Sequence, residues 1–170
     1  MDTILLRRSV RKFKDELIPY EDLLTLCKYG EAAPTARNQR SREYIIIENK
    51  EIINELSNIY QRSTMRVNEC NQMIAVIGKD PKELPSPAFE EQDLSLATEN
   101  IMLKACEMGI GSVMLGTYPM EERYIPVNKI LNVTDNKFVF TLICLGYPID
   151  ENAFFDKDKF KPEMVKHIGK

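Results

Sequence analysis

The chain has 170 residues, 44% of them apolar and 29% charged, the make-up of a single globular domain over residues 1–170 with a full core of its own. Lys and Arg total 23 against 26 Asp and Glu, a net charge of −3, which excludes the basic field of a general nucleic-acid binder. Cys27, Cys70, Cys106 and Cys144 are scattered without a C-x-x-C pair, so neither a disulfide framework nor a zinc cluster is expected.

The start, MDTILLRRSV, carries only Ile4-Leu5-Leu6 as an apolar run before turning basic. That is neither a signal peptide nor a membrane-spanning helix, and a soluble cytoplasmic protein is the expectation. Pro19-Tyr20-Glu21-Asp22 opens a helix with acidic residues in its first turn, and Leu23, Leu24, Leu26 and Cys27 give it an apolar face. Residues 30–38 (GEAAPTARN) read as a loop. Tyr44–Ile47 is a β-branched run and predicts a strand. From Lys50 to Tyr60 the apolar residues Ile52, Ile53, Leu56 and Ile59 recur at helical spacing. Met73–Ile77 predicts a second, buried strand that stops at Gly78, followed by an irregular segment with three prolines (KDPKELPSPAF).

Glu90–Met108 predicts a long helix with two apolar stripes. Leu94, Ala97, Ile101, Ala105 and Met108 form one, and Leu96, Leu103 and Cys106 the other. Such a helix is buried in a core or shared with a partner subunit. Gly109 ends it. Ser112–Leu115 then reads as a strand, Pro119–Leu131 as a helix and Phe138–Leu145 as a central strand closed by Gly146-Tyr147-Pro148. The tail to Lys170 is rich in lysine and aromatics and shows no period. Alternation of this kind predicts an α+β fold, a sheet with flanking helices, whose strand order is not readable.

The single histidine, His167, stands three residues from the end. Ser-His-Asp and Cys-His devices, H-E-x-x-H zinc sites and multi-histidine iron sites therefore lose their central residue. The glycines form neither G-x-G-x-x-G nor a phosphate loop, since Thr117 stands where the lysine would follow Gly116. If the chain is an enzyme, its chemistry is expected to rest on a bound cofactor.

Four stretches can carry a ligand. In Arg7–Lys14 five of eight residues are basic, beside the hydroxyl of Ser9, a set that suits a phosphate through forked, charge-assisted donors; a solvated basic face is the alternative. Residues 33–40 (APTARNQR) place Pro34, Thr35 and Asn38 in a loop before a strand, where binding groups are often displayed; a capped turn is the alternative. Residues 109–119 (GIGSVMLGTYP) put three glycines around a strand, which lets backbone approach a flat ligand; a tight helix–strand junction explains them equally. The tail lysines Lys157, Lys159, Lys161 and Lys166 add charge to an anion site or simply face water.

In this order the stretches resemble the FMN-dependent nitroreductase family. The matching residues are R-R-S-V-R at Arg7–Arg11, A-P-T-A-R-N at Ala33–Asn38, D-L-S-L-A-T-E-N-I-M-L-K-A at Asp93–Ala105, and G-I-G-S-V-M-L-G-T-Y-P at Gly109–Pro119. E-E-R at Glu121–Arg123 and L-G-Y-P at Leu145–Pro148 complete the set. The likeness runs from about Leu5 to Pro148 and rests on order and spacing, since no one motif is specific.

The resemblance implies a nitroreductase-like α+β fold with a central, mostly antiparallel sheet, an intertwined homodimer, and each FMN lying at the subunit interface. Arg7, Arg8 and Ser9 then match positions that hold the FMN phosphate, and Arg11 the basic residue near the pyrimidine edge. Pro34, Thr35, Ala36 and Asn38 match the loop given by the neighbouring subunit. Leu115, Gly116 and Thr117 match the segment whose backbone approaches flavin N5 and C4=O. Lys159 and Lys161 match loosely the C-terminal basic residues that reach the phosphate, and the helix around Ile101 would belong to the dimer core. No side chain need be catalytic, because flavin N5 carries the chemistry. NADH or NADPH gives hydride, then a nitro compound, quinone or similar conjugated acceptor takes its place in ping-pong order.

Two departures stand out. Members commonly read x-Q-P-W after the Asn, whereas this chain reads Gln39-Arg40-Ser41-Arg42, and Met114 stands where a Trp is frequent. The chain also has little room for the helical insertion of longer members, which implies an open site. The alternatives are a different flavin reaction on the same fold, a non-catalytic flavin-binding or interaction protein, and an RNA-binding module built on Arg7–Lys14.

Overall fold

The structure, a computed structural model, describes residues 2–60, 70–134 and 136–169. The β-branched and apolar runs become four strands, β1 (Arg42–Ile47), β2 (Gln72–Gly78), β3 (Gly111–Gly116) and β4 (Phe138–Gly146), joined in one sheet in the order β1-β2-β4-β3. Every neighbouring pair is antiparallel. The central positions of β2 and β4 explain their near-continuous apolar runs, because a strand covered on both faces has no solvent side to make polar.

Alternation along those strands sorts side chains to two cores. Met73, Ala75, Leu142 and Cys144 face α3 (Lys50–Ile59) and α5 (Glu121–Ile130), meeting Ile53, Leu56 and Val127. Ile74, Val76, Ile143 and Leu145 face α2 (Tyr20–Glu31) and α4 (Glu90–Glu107), meeting Leu23, Leu26, Leu94, Ile101 and Ala105. Each such side chain fully buried contributes about 1.5–3 kcal/mol of transfer free energy. Helix ends follow the local chemistry. The Asn49 side chain accepts from the Glu51 and Ile52 N–H groups at the start of α3, and Gly109, at φ +73°, turns the chain out of α4 in the left-handed region that glycine tolerates.

The long helix differs from expectation in one respect. Ile101 is buried against this chain's own sheet, and Cys106 from the second stripe is buried too, while Leu96 is exposed and Leu103 half-covered. The apolar surface that the helix leaves uncovered is thus that of Leu96 and, in part, Leu103. Boundaries also move slightly: β1 begins at Arg42 rather than Tyr44, and α5 at Glu121 rather than Pro119.

Before the first long helix, the short α1 (Thr3–Leu6) lies against α4, and Arg7 Nε meets Glu99 Oε1 at 3.1 Å. The chain then crosses the ends of β3 and β4. Val10 N–H donates to Ser112 O at 3.0 Å, and Lys14 N–H donates to Tyr147 O at 2.8 Å. Gly111 and Gly146 are register partners, and a Cβ on either would stand 2.8 Å from Val10 or Phe13. Two facing glycines therefore create the groove in which the N-terminal segment is seated. Among the described residues no helix is long and apolar enough to cross a membrane.

Candidate functional site

The crossing just described carries the basic segment to the end of the sheet, and the chain leaving β4 folds back beside it. Between them lies an open cleft of about 720 Å³, lined by Arg8, Ser9, Arg11 and Lys12 on one side and by Asp150, Phe155, Lys157 and Lys159 on the other. Five cations and one carboxylate thus face the same space. The Arg8 guanidinium lies 4.8 Å from the Phe155 ring centroid, and its Nη1 donates to Leu5 O and Arg7 O. Its Nε and Nη2 are buried and without a hydrogen-bond partner. Orphaned guanidinium donors are costly in a folded chain unless an acceptor meets them. A phosphate suits them by charge and by the forked geometry of the group.

The loop before β1 is built differently. Arg37, Asn38 and Arg40 have φ of +51°, +54° and +47°, a left-handed region that residues with a Cβ enter at some cost. Side chains on both flanks hold it there. Arg42 is almost wholly buried, pairs with Glu31 at 3.2 Å and donates through Nη2 to Glu31 O and Ala33 O. On the other flank the buried carboxylate of Asp93, in the first turn of α4, accepts from Ala36 N–H at 2.9 Å, Gln39 Nε2 at 2.7 Å and Ser41 Oγ at 2.8 Å. Arg40 N–H donates to Thr35 Oγ1. Pro34, Thr35, Asn38, Arg40 and Arg42 line a second cavity of about 360 Å³.

At the end of β3 the Leu115 side chain is buried, and its carbonyl accepts from Thr141 Oγ1 and Thr117 Oγ1. The Thr117 hydroxyl also lies 2.6 Å from the Tyr60 hydroxyl, whose pKa burial pushes up to about 12. Gly116 is exposed with open space where a Cβ would stand, and its carbonyl accepts from Arg123 Nη1 at 2.9 Å. Arg123 in turn lies 5.6 Å from the Tyr60 ring centroid. The backbone here is rigidly braced beneath an uncovered surface.

The expected ligand residues are therefore distributed over three places. Arg8, Ser9, Arg11 and Lys159 share the large cleft; Pro34, Thr35 and Asn38 share the smaller cavity; Leu115, Gly116 and Thr117 form the braced edge. Ala36 is held through its N–H by Asp93. Arg7 is engaged with Glu99, and Lys161 is exposed outside both cavities. Lys12 and Lys157 line the large cleft without having been assigned to a site from sequence, although both belong to the basic stretches noted there. Asp93 had no signal beyond its place in the α4 motif, because a buried carboxylate bonded to a distant loop leaves no local pattern.

The sequence matches the profile of the Nitroreductase family over residues 4–77 and 66–147. A protein of Archaeoglobus fulgidus, provisionally named NADH dehydrogenase/NAD(P)H nitroreductase, is 37% identical over 164 residues, covering 95% of this chain and 93% of its own. A solved structure from Parabacteroides distasonis ATCC 8503 with the same provisional name superposes with a TM-score of 0.89 at 32% identity, over 99% of this chain and 96% of the other. A nitroreductase from Bacteroides fragilis NCTC 9343, solved with bound FMN, shares the fold at a TM-score of 0.79 and 21% identity, covering 99% and 97%. This chain belongs to the Nitroreductase family, and its α+β fold is that of the family.

Proposed function

We propose that this chain is an FMN-dependent NAD(P)H oxidoreductase of the nitroreductase type, with residues 1–170 working as one cofactor-binding unit. The observation that carries the reading is the cleft in which Arg8, Ser9, Arg11 and Lys12 meet Lys157 and Lys159 from the far end of the chain. Family membership, the NAD(P)H nitroreductase name of the A. fulgidus relative and the FMN held by a protein of the same fold support it. When bound, FMN supplies hydride transfer from NADH or NADPH to a nitro, quinone or similar conjugated acceptor, the two half-reactions sharing one cleft.

The protein's own part is binding and electrostatics. Arg8 and Ser9, with Lys157 and Lys159, would hold the phosphate, whose charge of roughly −2 accounts for cations gathering on an acidic chain. Arg11 and Lys12 would set positive charge beside the ring, where it favours added electron density. Arg7 enters as the tether to Glu99 that seats this segment on α4. The braced Gly116 edge, lacking a side chain, lets a flat ring approach the backbone.

Two copies of the chain are part of the proposal. The large cleft and the smaller cavity share no lining residue, so a single chain presents the two halves of the expected site apart. Leu96 on α4 and Phe160, Met164, Val165 and Ile168 in the tail are exposed apolar groups without cover, the surface a homodimer would bury.

The test is the visible spectrum of the FMN-reconstituted protein before and after NADH or NADPH under anaerobic conditions. A bound-flavin spectrum that bleaches is expected, and replacing Arg8 and Arg11 together by alanine is expected to strip the flavin. Flavin retained without bleaching by either nucleotide would overturn the enzymatic reading and leave a non-catalytic flavin-binding protein.

A further inference from the structure

The loop of residues 33–41 is held in a conformation that its own residues disfavour. Three positive-φ positions without a glycine fall within four residues, and such strain persists only where surrounding structure over-determines it. Two side chains from outside the loop do so. Arg42 closes one flank through Glu31 and Ala33 O. Asp93 closes the other by accepting from Ala36 N–H, Gln39 Nε2 and Ser41 Oγ. Gln39 extends the hold further, because its Oε1 accepts from Ser86 N–H at 3.0 Å and so ties the loop to the segment before α4. Asp93 is 3% exposed, and a buried carboxyl group of this kind is retained only where hydrogen-bond partners satisfy it.

We propose that Asp93 is a positioning residue for the cofactor site: it holds the 33–41 loop in the shape that presents Pro34, Thr35 and Asn38 to FMN. This rests on the proposed FMN function, and Asp93 itself touches no cofactor. Its effect passes through the Ala36 N–H and the Gln39 and Ser41 side chains. The left-handed backbone at Asn38 determines where that amide side chain points, and removing the carboxylate frees the loop to relax to ordinary φ values. A preformed loop binds its ligand without the entropy of ordering, so a loosened one binds more weakly even when the rest of the site is intact.

The experiment compares wild type, Asp93→Asn, Asp93→Glu and Gln39→Ala by three measurements: FMN dissociation constant, apoprotein melting temperature, and the rate of trypsin cleavage after Arg37 and Arg40 without FMN. Asp93→Asn keeps the volume but offers an N–H₂ where a donor must be accepted, while Gln39→Ala removes the bonds to Asp93 and to Ser86 N–H and leaves the Asp93 carboxylate with Ala36 N–H and Ser41 Oγ. The expected result is FMN binding weakened about tenfold or more in Asp93→Asn and several-fold in Gln39→Ala, with faster cleavage in both and partial recovery in Asp93→Glu. FMN affinity equal to wild type in a folded Asp93→Asn or Gln39→Ala protein whose loop is cleaved faster would overturn the proposal and leave Asp93 a structural anchor. Unchanged cleavage would overturn the hold itself. A wild-type protein that binds no FMN overturns the function on which the proposal rests, and that outcome is read from the wild type alone.

Discussion

Glu90 shows how one buried group sets a response of the whole chain. It stands in the first turn of α4, 4% exposed, and its Oε1 accepts from Lys79 N–H at 2.7 Å. Burial raises its pKa, the Lys79 bond opposes this, and the charges of Asp93 and Glu91 raise it further, to about 7. A carboxyl that holds its proton more tightly in the folded state makes stability fall as pH rises. Below about pH 4.5, the group's ordinary value, it costs nothing; the loss accrues up to about pH 7 and is complete above. Glu90→Gln keeps the acceptor for Lys79 and removes the charge. The variant is expected to melt higher than wild type at pH 8, by an amount on the order of 1–3 kcal/mol, and to match it near pH 4.5. Thermal melts at the two pH values check this. The high frequency of acidic residues at the start of α4 is visible in the sequence, but which of them is buried is not.

At the scale of elements, the seating of the N-terminal segment on the sheet decides where the basic residues end up. Gly146→Ala would drive a Cβ to 2.8 Å from Phe13, an overpacking cost of about 1–3 kcal/mol. The expected result is a melting temperature lower by several degrees together with weaker FMN retention, because the segment of residues 8–14 must shift with Arg8 and Arg11. Gly116→Ala is the contrast, since its Cβ would meet nothing within 4 Å and its apoprotein is expected to melt close to wild type. Calorimetry of both apoproteins tests the difference. The strands themselves were legible, because β2 and β4 are covered on both faces and so read as near-continuous apolar runs. Their neighbours were not, because pairing depends on contacts between residues far apart in the chain.

At the scale of the molecule, the separation of the two cavities makes a prediction about copies. If each cofactor site draws its cleft from one chain and its loop from the other, two different defects complement. A chain with Arg8→Ala and Arg11→Ala, refolded with an equal amount of Asp93→Asn, should form hybrids holding one site with both lesions and one with neither. Random pairing then restores about a quarter of wild-type FMN capacity, since half the dimers are hybrids with one intact site each. Absorbance of retained flavin measures it. A mixture no better than its separate components would place the whole site within one chain.

What the sequence determined by itself was the identity of the elements and the chemical character of the stretches between them. Periodicity drew the helices, apolar runs drew the strands, and the order of R-R-S-V-R, A-P-T-A-R-N and G-I-G-S-V-M-L-G-T-Y-P pointed to the family, because these are local properties written in neighbouring residues. Tertiary structure alone decided which cations lie together. It placed Lys157 and Lys159 opposite Arg8 while engaging Arg7 with Glu99, and it set the Asp93 carboxylate against a loop more than fifty residues earlier in the chain. It also turned Ile101 inward and left Leu96 outward on the same helix. Those outcomes depend on how the sheet pairs and which helix lies on which face, and long-range packing of that kind leaves no trace in a window of adjacent residues.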